Sequence, residues 1–283
     1  MIDPVSNIYA VFLVGFVASF FGALMGIGGG VFIVPALTLL FNLPIQVATG
    51  SSLTTIIANS CTSSFNYVKS ELTNIRVAFL LCCSIVPGAI AGSWLARYIP
   101  PDILTIVFCA IVLGMSFWML RKPGPTYPSG ETGVDSKNAG DTPARDSYFD
   151  RNLNTRIEYR ITGKRFGIIS TFFSGIISSL LGVGGGIINV PVMTLVMGIP
   201  IKVAVATSSF MIMITAAAGA TVYYYNGYIY PVLVAPLIIG AIAGSMTGAA
   251  VLQRTRPKHL QRIFAAFTVV ISALMILRVF KVI

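Results

Sequence analysis

The sequence predicts an all-α polytopic membrane protein built from two inverted repeats of five apolar segments each. Three observations predict this fold: long stretches without charge, an internal duplication, and a polar linker between the duplicated halves. Of the 283 residues, 55% are hydrophobic and only 10% are charged, whereas a soluble globular protein carries about 25% charged residues. A soluble globular domain is therefore excluded, and the mean hydropathy of +0.85 agrees with that conclusion.

The charged residues are confined to a few short segments of the chain. The longest stretches without charge cover 4–68 and 203–253. Because a helix needs about 20 apolar residues to cross the hydrocarbon core of a bilayer, each stretch holds two or three membrane segments. A transmembrane β-barrel would instead show segments of ~10 residues with alternating hydropathy, and the sequence contains no such pattern.

The first half of the chain recurs in the second half. Aligning 26–48 with 182–204 gives 12 identities in 23 positions without a gap. A one-residue shift then aligns TGSS at 49–52 with ATSS at 206–209, and the sequence of 88–93 recurs unchanged as 240–245. Internal duplication in a membrane protein is typical of transporter folds.

Each half contains five apolar segments. They cover 5–27, 31–43, 44–67, 77–96 and 102–120 in the first half, and 166–181, 187–199, 200–225, 232–252 and 259–280 in the second. The second segment of each half has about 13 residues, or ~20 Å as a helix, which is too short to cross ~30 Å of hydrocarbon. We expect it to form a discontinuous, Gly-rich helical hairpin with the preceding segment, which leaves about eight full spans plus short half-helices.

The arrangement of the positive charges predicts how the chain is oriented. Two transmembrane repeats, 1–120 and 166–283, are joined by a polar linker over 121–165. With the linker in the cytoplasm, inverted repeats place 16 Lys and Arg residues inside and 3 outside, against 13 and 6 for parallel repeats. The positive-inside rule therefore favours inverted repeats with both termini outside. The net charge of +10 is then an orientation signal for a multi-pass protein of the plasma membrane (a bacterial-type cell inner membrane), and no nucleic-acid partner is expected.

The two triple-glycine turns are the first candidates for a binding site. Glycine adopts turn conformations that other residues avoid, and the short helices that follow offer unpaired N–H donors and a partial positive charge to an anion. The next helices begin near Pro44 and Pro200 and bring hydroxyl groups about one to two turns later. The candidate substrate-binding residues are Gly28, Gly29, Gly30, Thr49, Ser51, Ser52, Asn59, Gly184, Gly185, Gly186, Asn189, Thr207, Ser208 and Ser209.

Close helix packing is the competing explanation for these small residues. Gly88 and Gly92, like Gly240 and Gly244, are four residues apart, and we expect these four glycines to pack helices together. The packing explanation also stays open for the triple-glycine turns. It stays open for the Ser and Thr clusters too, because a hydroxyl in a membrane helix often bonds only to its own backbone.

The residues that enzymes need are missing from the apolar segments. None of the 9 acidic residues lies deep in a predicted span, and the single histidine, His259, belongs to a basic loop. The sequence therefore offers no buried acid pair, no Ser–His dyad and no metal site. We expect neither catalytic residues nor a cofactor, and the protein is not predicted to be an enzyme.

A Gly-x-Gly-Gly-Gly-x-x-x-x-Pro element in each half, the Ser-Ser pair that follows, and about eight hydropathy peaks resemble the TauE/SafE sulfite exporter family, also called the toluene sulfonate uptake permease family. The resemblance covers about 8–120 and 166–280. The residues that match the family signature are Gly28 to Gly30, Pro35, Gly184 to Gly186 and Pro191.

The resemblance implies a secondary carrier of sulfite or of small organosulfonates. The leading hypothesis is therefore a transporter of a small sulfur-containing anion (sulfite, thiosulfate or an organosulfonate) that works by alternating access in the lipid bilayer. The coupling ion, H+ or Na+, the direction of transport and a homo-oligomeric state stay open. Two alternatives also stay open: an anion channel, and a non-transporting membrane scaffold whose linker binds partners.

Overall fold

A computed structural model describes residues 7–121, 144–150 and 155–252, which are mostly helical. The helices of the first half are α1 (Ile8–Met25), α2 (Gly30–Phe41), α3 (Ile45–Lys69), α4 (Ile75–Leu95) and α5 (Pro101–Arg121). The second half has α6 (Lys164–Leu181), α7 (Gly186–Pro191), which continues as a π-helical turn (Val192–Val196), α8 (Ile201–Tyr225) and α9 (Pro231–Leu252). Nine of the ten predicted segments are thus helical, and the tenth, at 259–280, lies outside the described residues.

Two strands in the linker correct the prediction of an all-α protein. Strand β1 (Ala144–Asp150) pairs antiparallel with β2 (Thr155–Ile161). Along β2, Ile157, Tyr159 and Ile161 alternate with exposed residues and join a hydrophobic cluster with residues of α4 and α8. The hairpin forms because successive side chains of a strand point to opposite faces, so one face can be buried against the helices. The hairpin was not predicted from the linker sequence because few apolar residues occupy the face that is buried against the helices.

The first four helices of each half begin at positions that differ by a constant offset of 156 residues. Helices α1 and α6 begin at Ile8 and Lys164, and helices α3 and α8 begin at Ile45 and Ile201. This offset removes the one-residue shift of the sequence alignment. It also makes Gly244, and not Gly240, the counterpart of Gly88. The identical sequences of 88–93 and 240–245 are therefore one helical turn out of structural register.

The glycines with four-residue spacing pack parallel helices against each other. Gly88 and Gly92 of α4 lie against the backbone carbonyls of Phe172 and Ile176 in α6. In the same way, α9 places Gly240, Gly244 and Gly248 against the carbonyls of Phe12, Phe16 and Phe20 in α1. A side chain at any of these glycines would collide with backbone, so the prediction that Gly88, Gly92, Gly240 and Gly244 pack helices is confirmed.

Helices α3 and α8, which occupy equivalent places in the two halves, run antiparallel through the centre of the molecule. Gly50, near the start of α3, lies beside Tyr223, near the end of α8. Between these points Ile56 and Ile212, which are equivalent residues, both pack against Gly28. The antiparallel pairing means that each half enters the centre from the opposite direction.

One end of the molecule, which we call the hairpin end, gathers parts of both halves around Asn74. The backbone N–H of Asn74 donates to Thr207 Oγ1 of α8 (3.0 Å). Its side-chain Nδ2 donates to Asp146 Oδ2 (2.8 Å) and to Tyr159 Oη (2.7 Å) of the hairpin, and its Oδ1 accepts from the N–H of Val77 and so caps α4. The α3–α4 turn, the β-hairpin and the start of α8 therefore lie together.

The outer surface of the helices is suited to lipid. Among the described residues, three helices are long and apolar enough to cross a membrane, α4, α8 and α9. Large apolar side chains such as Phe65, Phe79 and Phe173 are more than half exposed. The end opposite the hairpin carries exposed aromatic residues, a pattern typical of a membrane–water interface; they are Tyr9, Trp94, Tyr98, Tyr224, Tyr225 and Tyr230.

Candidate substrate site

Two glycine loops, formed by Gly26–Gly29 and Gly182–Gly185, end α1 and α6 and begin the short helices. In the first loop Gly26, Gly28 and Gly29 have φ values of 66°, 88° and 84°. The corresponding residues of the second loop, Gly182, Gly184 and Gly185, have 71°, 86° and 77°. Side chains are strongly disfavoured at these positive φ values, so the repeated glycines are required by the turn itself.

The two loops contact each other directly through their backbones. Gly30 lies against the carbonyl oxygen of Gly182, and Gly186 lies against the carbonyl oxygen of Gly26. Since α1 and α6 begin at opposite ends of the molecule, the loops approach from opposite directions and meet. A Cβ atom at Gly30 or Gly186 would collide with the backbone of the other half.

Two of the predicted hydroxyl residues bind the loops across the boundary between the halves. Ser52 of α3 donates to the carbonyl oxygen of Gly182 (2.8 Å), and Ser208 of α8 donates to that of Gly26 (3.1 Å). Ser52 and Ser208 are equivalent at the offset of 156. Thr49, which is fully buried, packs against Gly182 as Val205 packs against Gly26.

The amide of Asn59 belongs to the first loop. Its Nδ2 donates to the carbonyl oxygen of Gly28 (2.8 Å), and its Oδ1 has no partner among the described residues. Asn59 therefore holds the first loop through its Nδ2, while its Oδ1 is left as an acceptor without a described donor.

Three other predicted residues have different surroundings. Thr207 lies at the hairpin end, where it accepts a hydrogen bond from Asn74. Ser209 donates to Val205 of its own helix (3.0 Å), which is the bonding expected of an isolated hydroxyl in a membrane helix. Ser51 is fully buried, and its hydroxyl has no partner among the described residues.

Asn189 lies in α7 beside the second loop. It is fully buried, and neither Nδ2 nor Oδ1 has a hydrogen-bond partner in the described part of the chain. Two serines of α6 that the sequence reasoning missed lie at the same loop. Ser174 donates to the carbonyl oxygen of Gly185 (3.3 Å), and the buried hydroxyl of Ser178 is unpartnered. Their signal in the sequence is a pair of polar residues four apart on one face of an apolar helix.

The site is electrically neutral. No charged side chain is buried among the residues whose burial is described, and these residues hold no group of three His, Cys, Asp or Glu side chains that could bind a metal ion. Its polar groups are backbone amides, hydroxyls and carboxamides, which can hold a small anion by hydrogen bonds.

Comparisons with known proteins place nearly the whole chain in one family. The model of the family "Sulfite exporter TauE/SafE" matches residues 11–275. The probable membrane transporter protein YunE of Bacillus subtilis is 28% identical, with 93% of this chain and 95% of that protein covered. The probable membrane transporter protein MJ0441 of Methanocaldococcus jannaschii is 26% identical, with 94% of each chain covered. No solved structure gives a significant match.

Proposed function

The chain belongs to the TauE/SafE sulfite exporter family of membrane transporters, and from this premise we propose that it is a secondary carrier of a small sulfur-containing anion. The substrate class comprises sulfite, thiosulfate and small organosulfonates. The observation that carries the proposal is the meeting of two glycine loops from opposite ends in a neutral, buried region with hydroxyl and amide groups. An anion there is held by hydrogen-bond donors rather than by a fixed positive charge, so it can be released on either side.

The proposed topology has two inverted transmembrane repeats, 1–120 and 166–283, joined by a cytoplasmic linker over 121–165. The antiparallel course of α3 and α8 supports it, since equivalent helices of parallel repeats would run in the same direction. The position of Lys202 also supports it. This residue lies in the first turn of α8, at the hairpin end, where the inverted arrangement requires it and where the positive-inside rule favours positive charge.

Alternating access follows from repeats that adopt different conformations in turn. The halves already differ at one equivalent place: α2 continues as a regular helix past Pro35, whereas α7 gives way to a π-helical turn after Pro191. π-Helical turns are frequent at functional sites. We propose that exchange of these two conformations between the repeats opens the site to one side and then to the other.

Counterflow in liposomes tests the proposed activity. Purified protein in vesicles loaded with unlabelled sulfite should accumulate labelled sulfite with saturable kinetics, and thiosulfate, sulfoacetate or taurine should compete if they share the site. Gly29→Leu and Gly185→Leu should abolish the exchange, because each loop glycine has a positive φ. Ohmic anion current without counterflow would replace the carrier by a channel. Loss of cellular function on deleting 121–165, with both glycine variants active, would favour a scaffold.

Reporter fusions to the two termini test the topology separately. Both termini should lie outside the cytoplasm, while a reporter inserted in the linker should lie inside. A cytoplasmic C-terminus would overturn the inverted arrangement and leave the substrate assignment untouched.

A further inference from the structure

The two glycine loops differ in the side chains that surround them. Asn189 and Ser178 lie beside Gly185, with Asn189 Nδ2 and Ser178 Oγ each 3.3 Å from the position that a Cβ atom of Gly185 would take. Asn189 is 0% and Ser178 is 2% exposed, and neither side chain has a hydrogen-bond partner among the described residues. Buried polar groups in native proteins are almost always hydrogen-bonded, so both side chains lack a partner that their burial would normally require. Asn189 lacks one at both its nitrogen and its oxygen.

The equivalent place in the first half has no polar side chain. At the offset of 156, Asn189 corresponds to Ile33, which is fully buried in the hydrophobic core. Ser178 corresponds to Gly22, which lies directly against the backbone of Gly29. The first loop therefore has neither a carboxamide nor a hydroxyl at these two equivalent places. Its unpartnered polar side-chain groups among the described residues are the Ser19 hydroxyl and Asn59 Oδ1.

The free groups around the second loop include three donor hydrogens. The carbonyl oxygen of Gly185 already accepts from the N–H groups of Ile188 (3.1 Å) and Asn189 (3.0 Å) and from Ser174 Oγ (3.3 Å). The carbonyl of Ser178 accepts from the N–H of Val183 (3.0 Å). What remains is the NH₂ group of Asn189 and the hydroxyl of Ser178, which together offer three donor hydrogens, against Oδ1 and the hydroxyl lone pairs as acceptors.

We infer that the transported oxyanion binds on one side only, at Asn189 and Ser178 beside the second glycine loop, so that each chain holds one anion. This inference rests on the proposed transport function and specifies its site. Ile33 and Gly22 leave the first half without donors at the equivalent places, and Asn59 holds the first loop through Gly28 instead of contacting the anion. Three donor hydrogens and no fixed charge suit a small anion with several sulfur-bound oxygens, because each oxygen can accept a hydrogen bond.

Equilibrium binding of labelled sulfite to the purified protein tests the inference, together with thermal unfolding without sulfite. Asn189→Leu and Ser178→Ala should each weaken sulfite binding at least tenfold. Neither should lower the unfolding temperature, because each removes a buried polar group that lacks a protein partner. Ser19→Ala is the matched control: Ser19 is a fully buried, unpartnered serine of α1, and its loss should leave binding unchanged.

The possible results separate the site from the function. If wild-type protein binds sulfite and both variants bind it within threefold of wild type, the site assignment is wrong and the transport proposal survives. If Ser19→Ala weakens binding as much as Ser178→Ala, the one-sided site is also wrong. If wild-type protein binds none of sulfite, thiosulfate, sulfoacetate and taurine, both the anion site and the proposed substrate fail. Stabilisation by sodium chloride but not by choline chloride would then assign the free groups to a sodium ion, because the two salts differ only in the cation.

Discussion

The hydroxyl of Ser52 donates a 2.8 Å hydrogen bond to the backbone carbonyl of Gly182, 130 residues along the chain. The hydroxyl of the equivalent Ser208 donates a corresponding hydrogen bond to the carbonyl of Gly26 at 3.1 Å. Each half of the protein thus fastens the glycine loop of the other half. The central contact is therefore reciprocal, and neither loop is held by its own half alone.

Removing these serines should weaken the contact between the halves. Ser52→Ala and Ser208→Ala should each lower the free energy of unfolding by about 1 kcal/mol, since each deletes one buried hydrogen bond. Chemical or thermal unfolding in detergent measures the change. Ser63→Ala, which removes a bond from Ser63 to Asn59 within α3 (2.9 Å), should cost less. Equal losses at all three positions would contradict a special role for the reciprocal pair.

Alanine at Gly30 or Gly186 should destabilise the fold by about 1–3 kcal/mol, the usual cost of overpacking. The new methyl group would meet the carbonyl oxygen of Gly182 or Gly26, and backbone atoms held by Ser52 and Ser208 cannot easily move away. Gly114→Ala is the control, because Gly114 has no heavy atom within 4 Å of the new methyl position. Its unfolding temperature should stay the same or rise, and a tolerated Gly30→Ala would contradict the close contact.

Asn74→Ala should release the β-hairpin from the helices. The substitution deletes the cap of α4 and both side-chain bonds to the hairpin, a loss of about 2 kcal/mol. Limited proteolysis should then cleave within 144–161 faster than in wild type. Asn66→Ala, whose amide donates to Thr62 in the same helix (3.1 Å), should leave the cleavage rate unchanged. Equal cleavage of both variants would show that the hairpin does not depend on Asn74.

The β-hairpin should detach from the helices at strongly alkaline pH. Burial raises the pKa of Tyr159 to about 12, the nearby Asp146 carboxylate acts in the same direction, and the bond from Asn74 opposes them. A folded-state pKa above the usual value near 10 means that neutral Tyr159 stabilises the docked hairpin fully below pH ~10. That contribution is lost as the pH rises towards ~12.

The tyrosinate absorbance of wild type minus that of Tyr159→Phe measures this shift. The difference should titrate with a midpoint near 12. A midpoint near 10 would show that Tyr159 is solvated and that the hairpin is not docked as described.

Most of the helices could be predicted from hydropathy alone. The predicted segment 200–225 became α8 (Ile201–Tyr225), and 44–67 became α3 (Ile45–Lys69). Such segments are easy to predict because a membrane helix must satisfy its own backbone and be apolar over a known length. The β-hairpin could not be predicted in this way, since its stability comes from burying Tyr148 and Tyr159 against distant helices.

Sequence comparison alone did not identify the structural alignment of the two repeats correctly. Glycines recur every four residues along the packed faces of these helices. The identical sequences of 88–93 and 240–245 therefore align one helical turn away from the structural match. Among the candidate residues, Ser52 and Ser208 do reach the loops, whereas Thr207 bonds to Asn74 at the hairpin end. Which face of a helix a hydroxyl occupies depends on the neighbour that packs there.

The sequence by itself determined that the protein is a duplicated, helical membrane protein with a glycine turn in each half. Composition, charge-free length and internal repetition are properties of the chain, and the bilayer imposes their consequences directly. Only the tertiary structure decided that the two turns meet, with Gly30 against Gly182 and Gly186 against Gly26, and that Asn189 and Ser178 lie together beside one of them. The contacts between the turns join residues that are distant in sequence, and only packing between the halves brings them together. The placement of Asn189 and Ser178 depends on how α6 and α7 fold back around the loop between them.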